Sequence, residues 1–178
     1  MITNNILQEA AAYQEQLVQT RRYLHSHPET GFDLKNTTEY VRKELIAMGY
    51  EPVMCGKSGI IALAGKKKSG KVFLIRGDMD ALPIKEESDV PFSSDNGKMH
   101  ACGHDMHTTM MLGAARLLKS HEYEIEGTVK LMFQPAEEIF EGSDDMINAG
   151  VLNSPDVDAA MMLSLIHISE PTRLLSIS

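Results

Sequence analysis

Two short apolar runs in this chain each end in a cluster of carboxylates, and no other feature restricts its fold as much. Lys71-Val72-Phe73-Leu74-Ile75-Arg76 leads into Gly77-Asp78-Met79-Asp80, and Gly127 to Phe133 leads into Gln134-Pro135-Ala136-Glu137-Glu138. Runs of this length bounded by turn residues suit buried strands. Open α/β sheets bind ligands just beyond the carboxyl ends of their strands, which is where these acids fall. The neighbouring segments have helical spacing. Residues 4–26 carry Ile6, Leu7, Ala10, Ala11, Leu17, Val18 and Leu24, and Thr37 to Met48 predicts a second helix with Asn36 or Thr37 as cap and Gly49 as stop. Residues 106–120 predict a strong helix, and Ser143 to Ala149 a short one closed by Gly150. Gly59 to Ala64 and Ala159 to Leu163 read as further strands, and the Pro-, Ser- and Asp-rich residues 82–99 as a loop. Helices alternating with short strands predict an α/β fold, a sheet covered on both sides.

The 178 residues, 43% hydrophobic, suit one globular domain with a real core. A net charge of −8 argues against a nucleic-acid or anionic-membrane partner. The one basic run, Lys66-Lys67-Lys68-Ser69-Gly70-Lys71, lies between two apolar runs and reads as a solvated hairpin turn. No stretch is apolar enough for a bilayer span, and MITNNILQEA lacks the basic and apolar regions of a secretory signal. With two cysteines, one among histidines, the expectation is a reduced, cytoplasmic protein.

The chemistry concentrates in His100-Ala101-Cys102-Gly103-His104-Asp105-Met106-His107. Thiolate and imidazole together suit zinc and the later first-row divalent ions. Two other readings stand beside a metal site: Cys102 as a nucleophile activated by a neighbouring histidine, or an ordinary polar loop. The nucleophile reading leaves Glu137 and Glu138 without a role. Adjacent carboxylates repel unless a cation or proton intervenes. A divided role resolves that conflict, one carboxylate on metal and the other taking a proton from water. Asp78 and Asp80 either cap a loop or hydrogen-bond a histidine ligand. By themselves, His25 and His27 read as a polar helix end, Met110 and Met111 as core filler, and Cys55 as a small buried hydrophobe.

Four stretches, RRYLHSHPETGF (21–32), RGDMDALPI (76–84), HACGHDMHTTMMLGAA (100–115) and FQPAEE (133–138), resemble in order and spacing the N-acyl-amino-acid amidohydrolases. That group includes hippurate hydrolase, N-acetyl-diaminopimelate deacetylase and the auxin–amino-acid conjugate hydrolases, within the aminoacylase/carboxypeptidase metallopeptidases. The resemblance runs from about residue 15 to residue 162. It implies a metal-binding α/β/α catalytic domain with a central mixed sheet, and an inserted lid or dimerisation domain that is absent here. It implies two divalent ions, manganese or zinc, with cobalt or nickel as alternatives. It assigns Cys102, His104 and Glu138 as metal ligands, Glu137 as general base and Asp80 as the carboxylate that orients the site. The implied substrate is a small N-acyl amino acid, and the full-length protein would dimerise through the lid.

The chain departs from the resemblance at Ser164, where a metal-binding histidine is expected. The string Leu163-Ser164-Leu165-Ile166-His167-Ile168-Ser169-Glu170-Pro171-Thr172-Arg173 resembles the translation of a sequencing-library adapter. The expected division is therefore residues 1–162 as the N-terminal part of the catalytic domain and 163–178 as a non-native tail. His167 is then a poor ligand candidate. Further ligands would lie in sequence this chain lacks, and the chain as written is expected to bind metal weakly, to aggregate and to be inactive. A non-catalytic metal-binding module is the remaining alternative.

Overall fold

The structure is a computed structural model that describes residues 2–65 and 70–165, without the side chains of residues 2–4. The tail from residue 166, His167 included, and the run Lys66–Ser69 lie outside the described residues. In chain order the elements are α1 (Ile2–Ala12), α2 (Gln14–Ser26), α3 (Lys35–Ala47), β1 (Val53–Cys55), β2 (Gly59–Ala64), β3 (Val72–Asp78), α4 (His104–Ser120), β4 (Thr128–Gln134), α5 (Gly142–Asn148) and β5 (Ala159–Met162). No helix among the described residues is long and apolar enough to cross a membrane.

Among the described residues five strands form one mixed sheet in the order β1-β2-β4-β3-β5. β4 is central, antiparallel to β2 and parallel to β3, and β3 is parallel to β5. This corrects one expectation. The strands that flank the basic run are not hairpin partners, because β4 lies between them. A run of lysines between two apolar segments marks a connection but says nothing about which strands pair. β1 was not predicted: three residues, two of them exposed, give too little alternation to read. The stretch predicted as one helix over residues 4–26 breaks at Tyr13 into α1 and α2.

One face of the sheet packs Ile60, Ala62, Ala64, Leu131 and Phe133 against Val41 and Leu45 of α3 and Met111, Leu112 and Ala115 of α4. The other face packs Cys55, Leu74 and Met132 against Met146 of α5 and Val151. Burying a side chain such as Phe133 stabilises by about 1.5–3 kcal/mol. α4 can approach β3 closely because Gly77 has no side chain; a Cβ there would stand 2.6 Å from Met111 Cγ. The α3 N-terminus is capped differently from expectation. Neither Asn36 nor Thr37 caps it; the Glu29 carboxylate accepts the N–H groups of Asn36 (3.1 Å) and Thr37 (2.8 Å) from outside the helix.

Lys130 is fully buried in the central strand. Its ammonium donates to the carbonyls of Val151, Asn153 and Pro155, each at 2.9 Å, which ties the segment before β5 to the sheet. Three carbonyl acceptors satisfy all three ammonium donors, the condition under which such burial is tolerated.

Candidate metal centre

The parallel register of β3 and β4 builds the site. It pairs Gly77 with Phe133 and Asp78 with Gln134, so both strands end at the same level. The Met79 N–H continues the ladder to the Gln134 carbonyl at 2.8 Å. Asp80 and the Glu137-Glu138 pair therefore emerge side by side. Asp80 is fully buried. Its two carboxylate oxygens accept the backbone N–H groups of Glu137 (3.0 Å) and Glu138 (3.1 Å). Charge-assisted bonds of this kind are about twice as strong as neutral ones. They hold the turn whose side chains carry the two glutamates. Gly142 closes that turn, its Cα so near the Pro135 carbonyl that no side chain fits.

The first turn of α4 brings histidines to the same place. His104 Nδ1 lies 2.7 Å from the Asp80 carbonyl oxygen, to which it donates, so Nε2 is the nitrogen left to meet a ligand. His107 stacks on His104, ring centroids 5.3 Å apart, with its Nδ1 3.2 Å from the Asp78 carboxylate. Asp78 also pairs with Arg76, whose Nε donates to Gln134 at 2.8 Å. Two groups of potential ligand atoms result, each within 4.8 Å: His104 with Glu137 and Glu138, and Asp78 with His104 and His107. Cys102 is exposed and belongs to neither group, although the neighbouring Glu138 acts on its thiol.

The electrostatics describe a site crowded with negative charge. The hydrogen bond to Glu138, followed by burial and the charges of Glu138, Glu137 and Asp80, pushes the Cys102 thiol up to about 11. Burial, then the charge of Asp78, raises Glu137 above the usual carboxylate range. Burial alone would depress His104, but the hydrogen bond to Asp80 and the charge of Asp78 outweigh it and lift the imidazole to about 9. Glu138 Oε1 and His107 Nε2 are buried with no hydrogen-bond partner. Carboxylates and imidazoles converging with buried acceptor atoms unspent form a donor set that fits a divalent cation.

Of the residues singled out from sequence, Asp80, His104, Glu137 and Glu138 come together, whereas Cys102 is exposed and lies outside both groups of ligand atoms. Asp78 and His107, which the sequence left without a firm role, enter beneath them. His25 overturns the polar-helix-end reading: it is 4% exposed and holds two carboxylates, whereas its neighbour His27 is exposed as expected. A helical wheel of α2 places Leu24 and His25 in adjacent positions at the buried end, but only the partners Glu86 and Asp105, far away in sequence, reveal why a histidine is buried there. Cys55 is buried, as expected.

Comparison with known proteins agrees with this arrangement. The chain is 45% identical over 145 residues to an N-acetylcysteine deacetylase of Bacillus subtilis, covering 80% of this chain and 38% of that protein. It is 43% identical over 140 residues to an N-acyl-L-amino acid amidohydrolase of Geobacillus stearothermophilus, covering 77% and 38%. It is 47% identical over 142 residues to an IAA-amino acid hydrolase of Arabidopsis thaliana, covering 78% and 32%. The chain thus spans between 32% and 38% of the length of these relatives. Among solved structures, a dinuclear metal-binding peptidase of the M20 family from Bacillus subtilis superposes with a TM-score of 0.80 at 43% identity, covering 85% of this chain and 43% of that one. An aminohydrolase structure from methicillin-resistant Staphylococcus aureus gives 0.85 at 36% identity, covering 89% and 41%. The profile of peptidase family M20/M25/M40 matches residues 74–177. With that profile matching more than half of its residues, the chain belongs to peptidase family M20/M25/M40.

Proposed function

We propose that these residues form part of a centre that hydrolyses the amide bond of small N-acyl amino acids, giving a carboxylic acid and a free amino acid. Cys102, His104 and Glu138 would hold metal, in a centre of two divalent ions, manganese or zinc before cobalt or nickel. When bound, such ions polarise an acyl carbonyl and acidify water. The chain's own residues do the rest. Asp80 holds the Glu137-Glu138 turn in place through two backbone N–H groups. Glu137 takes a proton from the attacking water and returns it to the leaving amine. A carboxyl whose proton affinity is raised, as burial and Asp78 raise that of Glu137, suits both halves of that transfer. The observation that carries the reading is the convergence of His104, Glu137 and Glu138 on one point within 4.8 Å.

The setting is a reducing cytoplasm, which keeps Cys102 a thiol. Cys102 as nucleophile is disfavoured by its surroundings, because a thiol pushed up to about 11 by carboxylates is a poor nucleophile at neutral pH. The activity would belong to a longer chain carrying these residues and able to dimerise through a lid domain; the 178-residue chain alone would not turn over. Residues from about 163 on are proposed to be non-native, and codons there that differ from those of a library adapter would contradict this.

The test is hydrolysis of N-acetyl and N-benzoyl amino acids by a full-length version, with and without chelator, and by its Glu137→Gln variant. Loss of activity in both cases, with loss of at least about 100-fold for Glu137→Gln, is expected for a general base. Activity that survives chelation would overturn the metal reading.

A further inference from the structure

Beside the metal centre the structure buries a second polar assembly, to which the proposed chemistry gives no role. His25 of α2 is 4% exposed and meets a carboxylate at each ring nitrogen: Nδ1 lies 2.8 Å from Asp105 Oδ2 and Nε2 lies 2.9 Å from Glu86 Oε1. We propose that His25 is a positioning residue for the metal centre, an imidazolium clamped between Glu86 and Asp105 that fixes the loop leading to Cys102 against the turn of α4 that carries His104.

The protonation state follows from geometry. A neutral imidazole has one donor and one acceptor nitrogen, and an ionised carboxylate only accepts. Both carboxylates also accept from other donors. Asp105 forms an ion pair with Arg21 at 2.7 Å and accepts the Met106 N–H at 2.9 Å. Glu86 accepts the Ser94 N–H at 2.6 Å and the Ser88 hydroxyl at 2.5 Å. The Arg21 guanidinium also comes within 3.3 Å of His25 Nδ1, but the closer approach of the Asp105 oxygen to that nitrogen decides for a proton there. The cluster is then charge-balanced, with Arg21 and His25 against Glu86 and Asp105, as burial requires.

The clamp's position gives it its role. Glu86, Ser88 and Ser94 belong to the loop 82–99, which is closed at its ends by the paired backbone bonds of Leu82 and Met99 at 3.0 Å. That loop delivers the chain to Cys102 three residues later. Asp105 follows His104 directly on the first turn of α4. Phe92, from the same loop, packs its ring edge-on to His25 with centroids 5.6 Å apart. His25 therefore ties together the two segments that supply the thiol and the imidazole without touching either. The inference rests on the reading of Cys102 and His104 as metal ligands.

The experiment uses a full-length version carrying these residues and Co²⁺ as probe, because thiolate coordination to Co²⁺ gives a charge-transfer band. In the wild type, ¹⁵N NMR at neutral pH should show protons on both His25 ring nitrogens. His25→Gln places an amide carbonyl against one of the two carboxylates; Co²⁺ affinity should fall about 10–100-fold, the usual cost of losing a partner that orients ligands, and the thiolate band should weaken. Adding Glu86→Gln turns that contact into a donor–acceptor pair and should restore most of the loss. An unprotonated His25 nitrogen in the wild type would overturn the proposal. So would a folded His25→Gln variant with unchanged Co²⁺ affinity, or a double variant that recovers nothing. If His25→Gln does not fold, the double variant and the NMR spectrum decide. A wild-type chain that binds no Co²⁺ would instead sink the metal-centre reading, so the two failures are told apart.

Discussion

Asp80→Asn tests the organisation of the site most sharply, because it keeps the shape and removes one charge. The Asp80 carboxylate, fully buried, accepts two backbone N–H groups, one from Glu137 and one from Glu138. An asparagine amide has one acceptor oxygen, so one bond is lost and its NH₂ group faces a backbone N–H. A hydrogen bond to a charged group contributes about 1.5–3 kcal/mol, and the surviving bond weakens towards the neutral value of about 1 kcal/mol. Removing a negative charge beside Asp78, Glu137 and Glu138 relieves repulsion worth about 1 kcal/mol. The net expected loss is about 2 kcal/mol, a fall in Tm of about 4–8 °C for a domain of this size. Thermal unfolding of the metal-free chain at neutral pH measures it. A second readout is the titration of His104, which the bond to Asp80 and the charge of Asp78 lift to about 9. A raised imidazole adds stability that is fully present below its ordinary value of 6.5 and is lost as pH rises through about 9. In Asp80→Asn the backbone bond to His104 remains but the carboxylate charge 3.7 Å away is gone, so that contribution should be smaller and be exhausted at lower pH. A Tm within about 1 °C of wild type, together with an unmoved His104 titration, would refute the role given to Asp80.

Two further outcomes follow from groups away from the ligands. Lys130→Met keeps the volume but strands the carbonyls of Val151, Asn153 and Pro155; it should cost about 2–4 kcal/mol in urea unfolding while leaving Co²⁺ affinity unchanged, and a loss below about 0.5 kcal/mol would contradict the anchoring role. Burial would raise Glu86, but hydrogen bonds from Ser88, Ser94 and His25 pull it down to about 2, so its contribution is present above the ordinary value of 4.5 and is lost as pH falls towards about 2. The stability gap between wild type and Glu86→Gln should therefore narrow on acidification through that window, and a gap that is flat with pH would contradict the assignment.

The carboxylates at strand ends, the α4 histidines and the α/β class were legible in the sequence because each is local. A run of buried strand residues and the acids that follow it are contiguous, so period and position suffice. What was not legible depends on contacts between distant segments. The place of β4 between β2 and β3 is set by pairing across 56 residues to β3 and 65 to 73 residues to β2, which no window detects, and it dissolved the predicted hairpin at Lys66–Lys71. His25 looked like a helix-end residue because its two partners, Glu86 and Asp105, lie 61 and 80 residues away. Asp80 was singled out for orienting a histidine; in the structure its carboxylate does something the sequence could not display, gripping the backbone of the glutamate pair, while its carbonyl orients His104. The α3 cap shows the same limit, since Glu29 replaces the adjacent Asn36 and Thr37 from a preceding loop.

The central claim is that Cys102, His104 and Glu138 act together on a metal. Titration of a purified full-length version with Co²⁺, followed by absorption spectroscopy, tests it most directly. A thiolate charge-transfer band that saturates with Co²⁺, vanishes in Cys102→Ser and weakens in both His104→Gln and Glu138→Gln is the expected result. Binding with no thiolate band, or a band indifferent to His104 and Glu138, would contradict the claim.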